Sequence, residues 1–288
     1  VNLLDAVVQG LMLGGLYAIF AAGLSLIFGV MKIVSLSYGA FAVMAAFVAL
    51  HLTQATGWSP ALVLVIVVPV MAAFGWVLQR FVLQRTLGDS ALPSILVTFG
   101  LAIIIENVLL VTESADQKRM TLGSIDTAAF DLGFIRVGVY PLGLFVLSLA
   151  LLGILALVMA KTQFGRAVRA ISEDAPTVEL LGIRPKTIYA WAGAIALALA
   201  AIGGVASGVQ TSFSPTSGGM LLIFAFEAVI IGGIGSLWGT FVGALVLGVS
   251  QTVGASFLPS QGILIGHLVF LIFLAFMPQG ISGKVRRS

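Results

Sequence analysis

Few residues in this 288-residue sequence could do covalent chemistry. It has no cysteine, which excludes disulfides and thiolate metal sites. The two histidines, His51 and His267, stand far apart and make no metal-ligand spacing. No G-x-x-x-x-G-K-[ST] phosphate loop occurs, since the one Gly-Lys pair, Gly283-Lys284, is followed by Val285. Neither a nucleophile elbow nor an H-E-x-x-H helix is present. A membrane-embedded enzyme would need a catalytic cluster, and the sequence holds none. What remains are two acids set within apolar runs: Glu106, followed by Asn107, and Glu227, beside Phe224, Ala225 and Phe226. Ionisable groups at membrane depth are costly, usually face a bundle interior, and often mark a path for solutes. Each acid is a candidate for lining a translocation path or for an interhelical contact. Ser35, Ser37 and Tyr38 are further path candidates. Lys32 reads as a topology anchor and His267 as a hydrogen-bonded packing residue.

These residues need a lipid-embedded scaffold. Hydrophobic residues make up 60% of the chain and charged residues 9%, where soluble domains carry about 25% charged. Mean hydropathy is +1.16. A water-soluble fold of this length could not bury so much apolar surface. Crossing the hydrocarbon takes ~20 mainly apolar residues in a helix. Such runs fall at 8–30, 36–52, 61–79, 93–112, 141–160, 187–210, 220–235, 239–257 and 263–278. Ala61–Val70 and Ala194–Ile202 are apolar on every side, which excludes the alternating pattern of a β-barrel. The fold expected is an all-α membrane protein, a polytopic bundle of about nine transmembrane helices within a range of eight to ten. The glycine-rich stretch Gly232–Gly239, which could be a turn or a re-entrant break, sets that range. Gly10-x-x-x-Gly14 and Gly239-x-x-x-Gly243 are spacings that let helices approach closely in lipid. The first run, carrying Asp5 and no basic flank, reads as a permanent span rather than a signal peptide. Gly14-Gly15 through Gly23 loosely echoes Gly232-Gly233 through Gly243.

The basic residues sort by loop. Lys32, Arg80, Arg85, Lys161, Arg166, Arg169, Arg184, Lys186, Lys284, Arg286 and Arg287, eleven of fourteen, fall on one side. Lys118, Arg119 and Arg136 fall on the other, among Glu113, Asp116, Asp126 and Asp131. The positive-inside rule then puts the N-terminus outside and the C-terminus in the cytoplasm, which requires an odd number of crossings. This sorting accounts for the net charge of +3 without nucleic acid. The chain reads as one transmembrane domain, 1–288, with an external loop at 113–140 and a cytoplasmic loop at 161–186. Phe134–Val139, beside Gly133 and Gly138, suggests a small external hairpin.

The cytoplasmic loop is the most informative segment. Phe164, Ala167, Val168 and Ile171 share one helical face, opposite Arg166, Arg169 and Ala170, so this piece suits the membrane surface. A second short helix follows, with Asp174 as N-cap, Pro176 in the first turn and Gly182 as its C-terminal stop. Pro185 prevents continuation. A helix of about two turns is unstable alone and needs packing against its own bundle or a partner. An ordinary connector and a docking element are both consistent with that pattern.

Gly165-Arg-Ala-Val-Arg-Ala-Ile-Ser-Glu-Asp-Ala-Pro-Thr-Val-Glu-Leu-Leu-Gly182 resembles the conserved loop of the permease subunits of branched-chain amino-acid ABC importers. Gln9–Ala18, continuing to Gly23–Gly29, resembles the N-terminal signature of that family's shorter, H-type permease. Gly232–Gly243 resembles its late glycine-rich segment. The resemblance implies that the loop is a coupling helix seated in a groove of a cytoplasmic ATPase. Arg166, Arg169, Glu173, Asp174, Ala175, Glu179 and Gly182 are the coupling residues it points to, with the acids facing basic residues of the ATPase. It further implies a second, longer paralogous permease, two cytoplasmic ATPase subunits that bind ATP and Mg, and an extracytoplasmic substrate-binding protein docked on the outer face. No cofactor is expected on this chain itself. The setting implied is a bacterial inner membrane. A stand-alone secondary carrier or channel for small amphipathic solutes is the competing reading, with Glu106 or Glu227 as ion site.

Overall fold

The computed structural model describes residues 3–88, 90–126, 128–131 and 136–282. Ten α-helices dominate it: α1 (Leu3–Met31), α2 (Tyr38–Thr56), α3 (Pro60–Phe81), α4 (Leu92–Glu113), α5 (Val139–Lys161), α6 (Gln163–Leu180), α7 (Pro185–Gln210), α8 (Gly218–Gly232), α9 (Leu237–Phe257) and α10 (Gly262–Phe276). Eight are long and apolar enough to cross a membrane, α8 when taken with the turn at Pro215–Ser217, and α10 is a shorter apolar helix. Each of the nine runs read from the sequence is a helix, and the tenth, α6, is the polar loop. The basic tail residues Lys284, Arg286 and Arg287 lie outside the described residues. So do Gly133 and Phe134, although the segments before and after them form a hairpin: β1 (Ala129–Asp131) pairs antiparallel with β2 (Arg136–Gly138).

Helix α1 is the axis of the bundle, buried along most of its length against α5, α7, α8 and α9. Its Gly10-x-x-x-Gly14 face meets α9. A Cβ on Gly14 would stand 2.7 Å from Leu245 Cα and 2.8 Å from the Ala244 carbonyl oxygen, so only glycine permits this approach. Around this axis the outer faces of α3, α4, α5 and α10 remain apolar and exposed, with Val65, Val111, Ile154 and Leu271 among the residues turned out to lipid.

Contacts sort the connections into two ends. At one, Asp5 Oδ1 accepts from Arg136 N at 3.1 Å and Gln9 Nε2 donates to the Arg136 carbonyl. At the other, Gly29 faces Gly235, while Ile281 N and Ser282 N donate to the carbonyls of Ile231 and Gly232. The described ends of the chain therefore lie at opposite ends of the bundle. The stretch Gly232–Gly239 is a tight turn between α8 and α9, with Gly233 and Gly235 at positive φ, and not a re-entrant segment.

The interior breaks lie elsewhere. Tyr38, which opens α2, packs its hydroxyl against Gly23 of α1, a position that the Ala196 carbonyl of α7 also approaches. Gly204 of α7 meets the backbone of Ala42. The start of α2 is therefore level with the middle of α7. The start of α8 is level with it too, because Gly218 touches Gly39. Segments 32–37 and 211–217 thus run into the bundle from opposite ends, and the N-termini of α2 and α8 meet inside it. Non-helical backbone at this depth needs internal partners. Leu36 N donates to Thr98 Oγ1 at 3.2 Å, and Phe213 exchanges two 2.8 Å hydrogen bonds with Lys118.

Candidate coupling and translocation sites

Helix α6 leaves the end of α5 almost without a connector. The Thr162 side chain caps it by accepting from Gly165 N at 3.2 Å. Arg169 turns back to donate to the carbonyl of Met159, one of the orphan acceptors at the end of α5. Val168 and Ile171 are buried against the bundle while Arg166 and Arg169 are exposed, the amphipathic split read from the sequence.

The helix breaks at Asp174, whose φ of −150° and ψ of 89° are extended. There Asp174 acts as an N-cap: Oδ1 accepts from Thr177 N at 3.2 Å and Oδ2 from Thr177 Oγ1 at 2.5 Å. The Thr177 hydroxyl first, then its backbone N–H, holds the Asp174 carboxyl below its ordinary range. Gly182, at φ +82°, ends the second segment, and its N–H reaches the Glu179 carbonyl at 3.0 Å. Pro185 then opens α7 in its first turn. Between the caps, Val178 is buried, Ala175 is half-buried, and Glu173, Asp174 and Glu179 are exposed. Leu180 and Leu181 are 88% and 76% exposed, an apolar pair at the tip that charge patterning alone did not single out.

The path candidates fall in three places. Ser35, Ser37 and Tyr38 are buried at the inward break, with the two serine hydroxyls 3.4 Å apart. Glu227 on α8 is 4% exposed, and its Oε1 lies 2.6 Å from Nδ1 of His267 on α10. Tyr17 donates to Gln251 Oε1 at 2.7 Å beside this pair, and Phe224 stacks on His267. Among the described residues, Glu227 Oε2 and Gln251 Nε2 have no partner. Glu106 is half-buried on α4 with no hydrogen bond among the described residues, and neighbouring Asn107 is exposed and bonded to the Ile103 carbonyl at 2.8 Å. The structure therefore does not bring the three groups together within one chain. The His267 and Gln251 partners lie tens of residues from Glu227 and Tyr17, beyond any local spacing signal.

Residues 6–277 match the family described as branched-chain amino acid transport system, permease component. The chain belongs to this family. It is similar to the high-affinity branched-chain amino acid transport system permease protein BraD of Pseudomonas aeruginosa, 28% identical over 98% of this chain and 96% of BraD. It is 26% identical to LivH of Escherichia coli, a permease protein of the same kind, with the same coverage. A probable branched-chain amino acid permease protein LivH of Methanocaldococcus jannaschii is 25% identical over 93% of this chain and 89% of that protein. Among solved structures, PsaBC from Streptococcus pneumoniae in complex with Fab shares the fold, with a TM-score of 0.52 at 14% identity over 97% of this chain and 93% of that one. The resemblance to the shorter permease thus holds along nearly the whole chain. This family member is a multi-pass inner-membrane permease subunit.

Proposed function

We propose that this permease forms half of the translocation pathway of an ATP-driven, binding-protein-dependent importer of branched-chain or related amino acids. The observation that carries the reading is the tip of α6, capped by Asp174 and Gly182, acidic, and tipped with exposed Leu180 and Leu181. A capped rigid segment, tied to α5 through Arg169 and to α7 through Pro185, transmits a push into the bundle. The face containing α6 is cytoplasmic, because it gathers the excess of lysine and arginine. Glu173, Asp174 and Glu179 meet basic residues of an ATPase subunit, Ala175 and Gly182 let its surface come close, and Arg166 and Arg169 hold the root of the helix. ATP and Mg bind the two ATPase subunits, where hydrolysis occurs.

The second permease is a longer paralogue. Glu106, without a hydrogen-bond partner among the described residues, faces the path or the seam with that paralogue, together with Asn107. Glu227, bonded to His267, serves as a fastener between α8 and α10. Ser35, Ser37 and Tyr38 mark the inward break that moves when the bundle switches. The external loop, whose hairpin is braced on Asp5, is the surface for the substrate-binding protein.

The test is recovery of an ATPase subunit with the tagged chain from detergent-solubilised native membranes, comparing wild type with Glu179→Arg. Recovery by wild type and loss in the variant support the importer. A well-folded wild-type chain recovered without any ATPase would overturn it in favour of a secondary carrier.

A further inference from the structure

Helix α6 changes chemical character at its kink. From Lys161 to Ser172 every charge is basic, and from Glu173 to Glu179 every charge is acidic. The acidic half suits a protein partner. The basic half, with Val168 and Ile171 packed inward, covers a cleft of about 400 Å³ between α1, α5 and the start of α9. The cleft walls are apolar, with Val30, Ala156 and Val168, while Arg169, Ser172 and Trp238 stand among its polar and aromatic lining. Trp238 is 52% exposed and follows the turn at Gly235, so it sits at the end of the bundle where lipid headgroups begin.

We infer that this cleft holds one anionic phospholipid of the cytoplasmic leaflet, its acyl chain between α1 and α5 and its phosphate on Arg169. A guanidinium carries five N–H donors. Among the described residues one of them is engaged, on the Met159 carbonyl, which leaves a fork for a phosphate diester. Lys161 and Arg166 add positive charge on the same stretch, and no acid precedes Glu173 there. A zwitterionic headgroup would bring its ammonium against these cations, whereas an anionic one would not. An apolar cleft beneath an amphipathic helix with a basic outer face takes an acyl chain more readily than a hydrated solute. The inference rests on the cytoplasmic placement of α6 proposed above and is independent of which solute is transported.

The experiment is native mass spectrometry of the transporter complex, purified through the tagged chain, exchanged into mild detergent and offered equal phosphatidylglycerol and phosphatidylethanolamine. Wild type is expected to retain one phosphatidylglycerol per chain and no phosphatidylethanolamine. Ala156→Phe fills the cleft and Ser172→Asp puts a negative charge at its mouth, and each should abolish that retention. Equal retention of the two lipids by wild type would overturn the inference whatever the variants do. So would undiminished phosphatidylglycerol in Ser172→Asp, or displacement of the lipid by inorganic phosphate alone. If no ATPase accompanies the chain, the importer reading fails, while the same lipid comparison on the chain itself still decides this one.

Discussion

Replacing His267 with leucine should destabilise the folded chain by leaving the Glu227 carboxyl stranded. Glu227 is buried, and its hydrogen bond to His267 Nδ1, at 2.6 Å, is its one partner among the described residues. Stranding a buried polar group costs about 1–3 kcal/mol. Glu227→Leu should cost less, about 1 kcal/mol, because the imidazole it abandons is partly exposed and keeps its stacking on Phe224. The double variant removes both needs at once, so its cost should fall short of the sum by about 1–2 kcal/mol, towards the upper end of hydrogen bonds measured within membrane proteins. The assay is reversible unfolding of the purified chain in mixed detergent and dodecyl sulfate, followed by loss of helicity. Additivity of the two single costs to within about 0.5 kcal/mol would refute the reasoning. Glu227→Gln supplies a functional control, since it keeps a hydrogen-bonding partner for His267. Loss of transport in that variant at unchanged stability would show that the carboxylate also serves the path.

Leu181→Arg places a charge on the exposed apolar tip without touching the bundle. It should reduce ATPase recovery at least tenfold, about 1.4 kcal/mol, at unchanged yield of folded chain, as read by quantitative pull-down. The Asp174 carboxyl is held below its ordinary range, so its cap is complete at neutral pH and is lost as pH falls through the lowered folded value. ATPase recovery should therefore show no Asp174-dependent change between pH 8 and about 5, while Asp174→Ala lowers it throughout. A wild-type decline within that window, absent from Asp174→Ala, would contradict the capping argument. Gly14→Leu drives a side chain into the α9 backbone and should cost at least about 1–3 kcal/mol by overpacking, measured as lower yield of monodisperse chain.

What the sequence revealed and what it concealed follow from the range of the forces involved. Spans were legible because lipid imposes its requirement on every ~20-residue stretch independently. The break in α6 was legible because Asp174, Pro176 and Gly182 act within one turn of where they stand. The turn at Gly233–Ser236 left two readings open, because glycine permits either; the Ser236 N–H to Gly233 carbonyl bond and the pairing of Ile231 and Gly232 with residues 281 and 282 decide between them. The inward break before α2 was hidden. Nothing near Lys32 signals that residues 33–37 turn back into the bundle, since the acceptor that satisfies Leu36, Thr98, lies 62 residues away. The Glu227–His267 pair was hidden for the same reason, at a separation of 40 residues. Sequence reasoning could place both acids in the membrane and could not say that, among the described residues, one is partnered and the other is not.

That difference between the two acids gives the last prediction. Among the eight helices long enough to cross a membrane, α4 is the least covered by its own chain, with Ser94, Thr98 and Leu109 as its buried residues. A carboxylate facing hydrocarbon from such a helix is costly enough that water or protein must cover it. The chain lacks cysteine, so Asn107→Cys, one residue on, is a unique thiol for reporting what covers that face. If the face lines an aqueous path, the thiol reacts with a membrane-impermeant maleimide, and saturating substrate slows the reaction. If it lies on a seam, the thiol crosslinks to a second permease subunit. A thiol that does neither, yet reacts with a lipid-partitioning probe in the assembled transporter, would place Glu106 against lipid and remove it from both the path and the interface.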